Sequence, residues 1–600
     1  MTEPTATAPA EPAQPATPAT TEPVTAAAAT PEVTAVRDAG PDAPDAGPGS
    51  WDRGSLLRGA LLVLVPLLLA GWCLLLVRDL WVMTEARVYL HVDLPLDPVR
   101  FLLRPNPDWG VGRLASVAFF RGVGRVCDLD GGCVNVATAG LTFVAALLIA
   151  IHGWQLSGSA WLGILAAALW GLSAPVLAGW LWQATWFDLL ATIAAIGAGI
   201  FWWWVFGRKR AGPGWWLLSI LGSLVLIAVA FNVKEVDYLL VGVLLLLAVV
   251  RGATVHDGIR RNLIAATMPA LYGIGFIGTA MRDISPEYAA SVGAGHTLTG
   301  LRELVTQALG VASSFAMIDR GPDALPARAA AAVLWVVFGV ALLGCGIAAV
   351  RHVSRVRSAA RAEAAQVAMV RVPSAERVHG GVFAAWGAEL YLLALGGGAT
   401  FLGARSAGLS TYYGIVPAAA FTLLVLLVIR RIARASARPK GVAGLLTGLL
   451  VLAWGVAYVG LFVNRDAAVW QVRDDSARLR STAALVRTLL AGRDVTQVAW
   501  RPDGVPPTGF SLLRDPGKPQ REDGGWRVGP EVWPWLMGDK VEVPVTSLDE
   551  GTADDWRARL DEHAAPGEVL LVTDPDDRLG LLAIGGEVLY PPPPPASPAP

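Results

Sequence analysis

Residues 184–210 read ATWFDLLATIAAIGAGIFWWWVFGRKR: one acidic residue near the start, a long apolar run, then a basic cluster. The apolar part is long enough to cross the hydrocarbon core of a bilayer, which takes a helix of about 20 residues. The whole chain shares this character, since 54% of its residues are hydrophobic and 16% are charged, against about 25% charged in ordinary soluble domains. The sequence therefore predicts an α-helical polytopic membrane protein. Its net charge of −1 gives no overall field that would attract nucleic acid.

Apolar runs continue from residue 56 to residue 463, and together they predict about eleven transmembrane helices. The runs lie at 56–77, 135–152, 160–178, 184–206, 216–231, 236–250, 261–280, 329–350, 382–404, 412–430 and 441–463. Two of them, 216–231 and 236–250, are short and are separated only by a polar turn, NVKEVDY (232–238). This pair can therefore be counted in more than one way.

The distribution of basic residues predicts the orientation of these helices, because cytoplasmic loops collect Lys and Arg. The short loops on one side contain only two basic residues, Lys234 and Arg405. The alternate loops contain Arg208, Lys209, Arg210, Arg251, Arg260, Arg261, Arg351, Arg355, Arg357, Arg361, Arg371, Arg377, Arg430, Arg431, Arg434, Arg438 and Lys440. We therefore predict a multi-pass plasma membrane protein with a cytoplasmic N-terminus. The long loops 79–134 and 281–328 then lie outside, and so does everything after residue 463.

Four regions follow from this arrangement. Residues 1–54 are rich in Pro, Ala and Thr and have few large apolar side chains, so we predict a disordered cytoplasmic tail. Residues 55–463 form the transmembrane domain. Residues 464–590 form a small extracytoplasmic α/β domain, and residues 591–600 are a Pro-rich tail. Within the α/β domain we predict helices at 470–491 and 554–564 and strands at 495–500, 541–546 and 569–573.

Tryptophans gather near both ends of the predicted helices. Trp180, Trp182 and Trp186 lie towards the outer side, and Trp202–Trp204 lie towards the inner side. Tryptophan favours the boundary between lipid and water, so we interpret these residues as interfacial belts rather than as platforms for stacking sugars.

Two cysteines share a polar outer loop, CDLDGGC, as Cys127 and Cys133. In an oxidising compartment this spacing favours a disulfide. A zinc site is the weaker alternative, because no histidine accompanies the pair at ligand spacing.

Ionisable residues on the predicted outer side are the candidates for chemistry. Asp93 and Asp97 follow the first helix in LHVDLPLDPV, and Arg113 begins a stretch that leads into the second. A carboxylate held among apolar neighbours near the membrane can gain affinity for a proton, as a general base requires. The alternative is that both aspartates are solvated turn residues before Pro95 and Pro98.

Asp188 lies directly against apolar sequence, and so do Lys234, Glu235 and Asp237 in the turn at 232–238. Ionisable groups near membrane depth are costly and are functional candidates by default. Lysine in such a place suits a lipid phosphate. The alternatives are a local cap or pairing for Asp188 and a simple polar hairpin tip for Lys234 and Glu235.

Three stretches resemble the type C glycosyltransferase superfamily, which includes protein O-mannosyltransferases and lipid A aminoarabinose transferases. They are RLASVAFFRGVGRVCDLDGGCVNVATAGLTFVAALLI (113–149), WQATWFDLLATIAAIGAGIFWW (182–203) and FNVKEVDYLLVGVLLLL (231–247). The resemblance covers residues 56–330 and implies catalysis by Asp93 or Asp97. It also implies that Lys234 and Glu235 line the same cavity and that Arg113 begins a surface helix. We select Arg113, Asp188, Lys234 and Glu235 as the substrate-binding residues. The chain departs from the family in one respect, because its two aspartates are four residues apart where family members often have adjacent acidic residues.

From this resemblance we expect a hexosyl- or pentosyltransferase that moves a sugar from a polyprenyl-phosphate donor to a glycan, lipid or protein of the cell envelope. No cofactor is expected, and the need for a divalent cation is open. Two alternatives stand beside this hypothesis. One is a transporter or flippase of lipid-linked sugars, which would need polar residues in the middle of several helices. The other is a non-catalytic envelope scaffold derived from such a fold.

Overall fold

A computed structural model describes residues 53–82, 90, 113–127, 130–208, 212–254, 258–283, 354, 358, 376–404, 414–434, 438–463, 468–502, 532–537, 543–548, 555–573 and 578–590. The candidate residues Asp93 and Asp97 lie outside this set. So do the two predicted tails apart from Arg53 and Gly54, most of the loop 281–328 and the apolar run 329–350.

Most of the described residues form helices, which we number in chain order. Those of the apolar region are α1 (Arg53–Val77), α2 (Leu114–Cys127), α3 (Gly131–Ser157), α4 (Ala160–Gly171), α5 (Ala174–Leu181), α6 (Trp186–Phe206), α7 (Pro213–Phe231), α8 (Leu240–Gly252), α9 (Gly258–Asp283), α10 (Glu376–Ala404), α11 (Ile415–Arg434) and α12 (Pro439–Val463). Two 3-10 helices, Gln183–Thr185 and Glu235–Leu239, precede α6 and α8.

Seven helices of the described part are long and apolar enough to cross a membrane. They are Leu57–Val77, Gly131–Ser157, Gln183–Phe206, Pro213–Phe231, Gly258–Arg282, Ile415–Arg434 and Pro439–Val456. The bent pair α4 and α5, with an angle of 55° between its halves, makes an eighth if it counts as one span. The chain is thus a multi-span helical protein.

The difference from eleven has local reasons. The run 160–178 is broken between α4 and α5, where Pro175 begins a new helix after Ser173. The run 236–250 forms α8, whose 13 residues give a length of about 20 Å, too short to cross the bilayer alone. Its first residues are taken up by the 3-10 helix Glu235–Leu239. The run 382–404 forms part of α10, which is not among the seven, and 329–350 lies outside the described residues.

Small residues allow some of these helices to pack closely. Gly153 of α3 faces Gly163 of α4, and a Cβ atom on Gly163 would overlap the Ala150 carbonyl. Close approach at small residues is how helices associate in lipid, where burial of apolar surface gives little driving force. Large tryptophan side chains also fill the interior of the helix bundle. Trp180, Trp186 and Trp202 are all fully buried, so for these three residues the prediction of an interfacial belt is wrong.

The C-terminal domain combines helices with a five-stranded sheet. Its elements are α13 (Ala468–Leu490), β1 (Gln497–Pro502), α14 (Val532–Met537), β2 (Val545–Ser547), α15 (Asp555–Glu562), β3 (Glu568–Thr573), β4 (Leu579–Ile584) and β5 (Glu587–Tyr590). The strand order is β2-β1-β3-β4-β5. Strand β1 is parallel to β2 and β3, whereas β4 is antiparallel to β3 and β5. Its inner strand β3 is almost wholly buried.

Helix α13 of this domain lies at the carboxyl end of α1. The backbone N–H of Trp81 donates to the Ser476 hydroxyl of α13, and Arg480 lies 3.8 Å from the Asp79 carboxylate. The start of α3 is joined to the same place, because the Asn135 amide donates to the carbonyls of Val77 (2.7 Å) and Leu80 (2.9 Å). We call this part of the helix bundle the Asp188 end, since α6 also begins there.

Candidate functional site

The site begins with the polar turn between α7 and α8. The carbonyl of Asn232 accepts hydrogen bonds from the backbone N–H groups of Ala115 (2.9 Å) and Ser116 (3.4 Å). The Ser116 hydroxyl donates to the Val233 carbonyl at 3.0 Å. The N–H groups in the first turn of α2 have no partner inside the helix. The polar turn at 232–238 supplies a partner for two of them. Helix α2 is thereby fixed against the turn that carries Lys234 and Glu235.

Arg113, directly before α2, forms a two-pronged ion pair with Glu235. Its Nε lies 2.7 Å from Oε1 and its Nη2 lies 3.1 Å from Oε2. The guanidinium also lies 5.1 Å from the centre of the Phe187 ring. Burial raises the pKa of Glu235, but the attraction and hydrogen bonds of Arg113 outweigh it, so the pKa ends below its ordinary value. Glu235 is thus held as an anion.

Lys234 forms the second ion pair of the site. Its Nζ lies 2.5 Å from Oδ1 of Asp188 in the first turn of α6. Both side chains are buried, with 8% and 4% of their surface exposed. The second carboxylate oxygen of Asp188, Oδ2, is buried and has no hydrogen-bond partner among the described residues. Desolvating two charges is costly, and their attraction offsets that cost only when the geometry is good.

Asp237 completes the site; the sequence analysis noted it beside Lys234 and Glu235 but did not select it for catalysis or substrate binding. Its side chain is 1% exposed, and its Oδ2 likewise has no hydrogen-bond partner within the described ranges. Burial raises the pKa of Asp237 well above its ordinary value; Lys234 opposes this shift, and the carboxylates of Asp188 and Glu235 add to it. A signal was present in the sequence, because Asp237 lies in the same polar turn, NVKEVDY, as Lys234 and Glu235.

Counting the charges shows what the cluster can do. Arg113 and Lys234 are each matched by one carboxylate, from Glu235 and Asp188. Asp237 is the fifth ionisable group, and with its proton bound the cluster is neutral. The buried Oδ2 atoms of Asp188 and Asp237 have no hydrogen-bond partner among the described residues, and Asp237 in that state has a proton to donate.

Aromatic side chains of α2 and α6 pack against one another beside the cluster. Phe120 of α2 stacks on Trp186 of α6 with 4.7 Å between ring centres and lies 5.1 Å from Phe187. The indole N–H of Trp186 donates to the Thr138 hydroxyl of α3 at 2.9 Å. These rings fix the start of α6, and with it Asp188, relative to α2.

The disulfide candidates lie between α2 and α3. Cys127 and Cys133 are joined in the structure, with 5.3 Å between their Cα atoms. Helix α3 begins between them and is capped by Asp130, whose carboxylate accepts a hydrogen bond from the Gly132 N–H at 2.9 Å. The bond thus links the end of α2 to the first turn of the transmembrane helix α3.

The structure brings together four of the six residues selected for catalysis or substrate binding: Arg113, Asp188, Lys234 and Glu235. Asp93 and Asp97 lie outside the described residues. The described segments that precede and follow them, Leu80–Val82 and Arg113, lie at the Asp188 end.

Within the described ranges no group of three or more His, Cys, Asp or Glu side chains is arranged to hold a metal ion. Comparison of the chain with family models, with curated proteins and with solved structures found no match.

Proposed function

We propose that this protein is a membrane glycosyltransferase that moves a sugar from a polyprenyl-phosphate donor to a cell-envelope acceptor on the extracytoplasmic face. The observation that supports the proposal is the ionic cluster of Arg113, Asp188, Lys234, Glu235 and Asp237 at one end of a bundle of apolar helices. A lipid-linked donor would reach this position sideways from the bilayer. The proposal includes eleven transmembrane helices, a cytoplasmic N-terminus and an extracytoplasmic C-terminal domain.

In the proposed reaction, a carboxylate of Asp93 or Asp97 takes the proton from the acceptor hydroxyl as its oxygen attacks the sugar carbon. The bond between that carbon and the phosphate oxygen breaks, and the polyprenyl phosphate leaves with the electron pair. Fixed charges act best where charge develops in the transition state. Arg113 and Lys234 supply the positive charge here, and the carboxylates that hold them keep them in position. Asp237, whose pKa is raised by burial, has a proton available for the departing phosphate.

The experiment uses Asp93→Asn, Asp97→Asn and the double variant in purified full-length protein. Release of polyprenyl phosphate from synthetic polyprenyl-phosphate hexoses and pentoses is measured with an extract of envelope acceptors. Loss of a positioned general base lowers rates by about 10²- to 10⁴-fold, and we expect that loss in one single variant and in the double variant.

The matched control is Asp130→Asn in the same predicted outer loop. Asp130 is exposed and caps α3, a role that Asn also fills, so its transfer rate should equal that of the wild type. Full activity in the double variant would show that the catalytic assignment is wrong. Exposure of the loop 79–134 to reagents on the cytoplasmic side of sealed vesicles would contradict the proposed orientation.

A non-catalytic scaffold is the second candidate, and one observation favours it. Both cations of the cluster already have carboxylate partners. A cluster that only holds α2, α6 and the polar turn at 232–238 together would show the same pairing. Binding of a polyprenyl-phosphate sugar by the purified protein separates the two candidates, because a transferase binds this donor and a scaffold of this kind does not.

A further inference from the structure

A second group of charges surrounds a cavity at the opposite end of the bundle. Helices α3, α6, α8 and α11 all end there, and their last turns, together with the middle of α10, line a space of about 530 Å³. The side chains that matter for its chemistry are Trp203, Arg251, Glu389, Arg430, Arg431 and Arg434. We call this part of the bundle the Arg434 end and the space the arginine cavity. Pockets that hold small ligands fall in a similar range, about 300–1,000 Å³.

Two of the arginines are fixed by carbonyl groups of neighbouring helices. The Nε of Arg251 donates to the Trp203 carbonyl at 3.1 Å, and its guanidinium lies 4.3 Å from the centre of the Trp203 ring. Arg430 donates through Nη1 to the Ser157 carbonyl at the end of α3. Each bond uses one N–H group of a side chain that has five. Both guanidinium groups are therefore held in position with further donors available.

Arg431 differs because an acid neutralises it. Its guanidinium contacts Glu389 at 2.6 Å and lies 3.9 Å from the centre of the Trp386 ring. Glu389 is the one carboxylate among the residues that line the cavity. With four arginines against one glutamate, the wall of the cavity has a formal charge of +3.

Arg434 lies at the exposed end of α11 and makes no hydrogen bond or ion pair with another described residue. The tendency of basic residues to collect at the cytoplasmic ends of helices explains why arginines occur at this end. It does not explain why they border a cavity between five helices. Basic residues that serve only orientation can extend into water, as the exposed Arg438 does.

We propose that the arginine cavity binds an anion that contains a phosphate group, through Arg251, Arg430 and Arg434. Guanidinium groups match the oxygens of phosphate in pairs, and such charge-assisted bonds are about twice as strong as neutral ones. The phosphate has two possible sources, a lipid headgroup of the adjacent leaflet and a soluble phosphate compound. The site is separate from the proposed transfer site: Asp188 and Trp203 are 15 residues apart on α6, which is about 22 Å along a helix.

The experiment compares wild type, Arg434→Gln, the double variant Arg251→Gln with Arg434→Gln, and the control Arg438→Gln, all as the full chain in a neutral detergent. Titration calorimetry with pyrophosphate tests the soluble source. Native mass spectrometry after addition of equal phosphatidylglycerol and phosphatidylcholine tests the lipid source. Size-exclusion chromatography shows which variants fold. Arg434 is exposed and without a partner among the described residues, so the single variant decides the result if the double variant does not fold.

We expect wild type to bind pyrophosphate, or to retain phosphatidylglycerol in preference to phosphatidylcholine. Arg434→Gln should weaken that binding about tenfold, the equivalent of one charge-assisted hydrogen bond, and Arg438→Gln should leave it unchanged. Pyrophosphate binding identifies the soluble source, and lipid retention alone identifies the headgroup. The proposal is overturned if wild type binds neither probe, or if Arg434→Gln and Arg438→Gln bind as tightly as wild type.

Discussion

The two ends of α6 differ in how their charges are balanced. In the cluster at the Asp188 end both cations, Arg113 and Lys234, are matched by carboxylates, and the buried Oδ2 atoms of Asp188 and Asp237 have no hydrogen-bond partner among the described residues. At the Arg434 end four arginines share one glutamate around a cavity. A balanced cluster suits reactions in which protons move, because no net charge has to be desolvated. An excess of guanidinium groups suits the capture of an anion.

The two ends also differ in how deeply their ion pairs are buried. The Lys234–Asp188 side chains are 8% and 4% exposed, whereas those of Arg431 and Glu389 are 32% and 10% exposed. Water can therefore screen the second pair but hardly reaches the first. Breaking a buried pair leaves a charge without a partner and is strongly destabilising, while exposed pairs contribute little. Removing one partner of an ion pair should therefore lower stability much more at the Asp188 end than at the Arg434 end.

The largest effect is expected from Lys234→Ala. This change leaves the Asp188 carboxylate buried without its cation, and we expect a loss of about 3–5 kcal/mol in the free energy of unfolding. The measurement is the apparent melting temperature of the purified protein in mild detergent. Lys440→Ala is the matched control, because Lys440 is exposed at the start of α12 and should leave the melting temperature unchanged.

Adding Asp188→Asn to Lys234→Ala sharpens this prediction. The double variant has no buried charge at the position, so it should recover most of the lost stability even though it lacks the ion pair. If the double variant is less stable than Lys234→Ala alone, the destabilisation does not come from the stranded carboxylate, and the contrast between the two ends fails.

A smaller, pH-dependent effect is expected from Asp237→Asn. Burial raises the pKa of Asp237 in the folded protein, so its protonated form stabilises the fold at low pH. Wild type loses this stabilisation as the pH rises from the ordinary carboxyl range to the raised pKa, whereas Asn cannot ionise. Melting temperatures of the two proteins should agree near pH 4, and the variant should be the more stable one at pH 8. The exposed Asp561→Asn is the control and should show no such divergence.

The sequence predicted the helical bundle because apolar runs are long, and it selected Arg113, Asp188, Lys234 and Glu235 because charges beside such runs are conspicuous. It could not show which cation meets which carboxylate, since the partners of both pairs are far apart in the chain. It also misplaced three tryptophans: a tryptophan near the end of an apolar run has the same sequence context whether it faces lipid or, like Trp186, the protein interior.

The C-terminal domain shows a similar limit. The strands β1, β2 and β3 and the helix α15 lie within a few residues of the predicted positions. Strands β4 and β5 were not predicted, because LGLLAI (579–584) is a short leucine-rich run between a polar segment and a Gly-Gly turn. Its strand conformation comes from antiparallel pairing with β3, an interaction that local sequence does not encode. The arginine cavity was missed for the same reason: each arginine alone reads as an orientation signal.

The smallest effect is expected from Glu389→Gln at the Arg434 end. The pair that it breaks is partly exposed, so the loss of stability should be about 1 kcal/mol or less, well below that of Lys234→Ala.

Glu389→Gln also removes the carboxylate of the arginine cavity. This should tighten pyrophosphate binding about threefold, because one repulsive charge near the anion is gone. Calorimetry of Glu389→Gln beside Glu562→Gln, an exposed glutamate of α15, separates this local effect from the change in net charge. Equal affinities in the two variants would mean that Glu389 does not face the anion, and a large loss of stability would mean that water screens the Arg434 end no better than the Asp188 end.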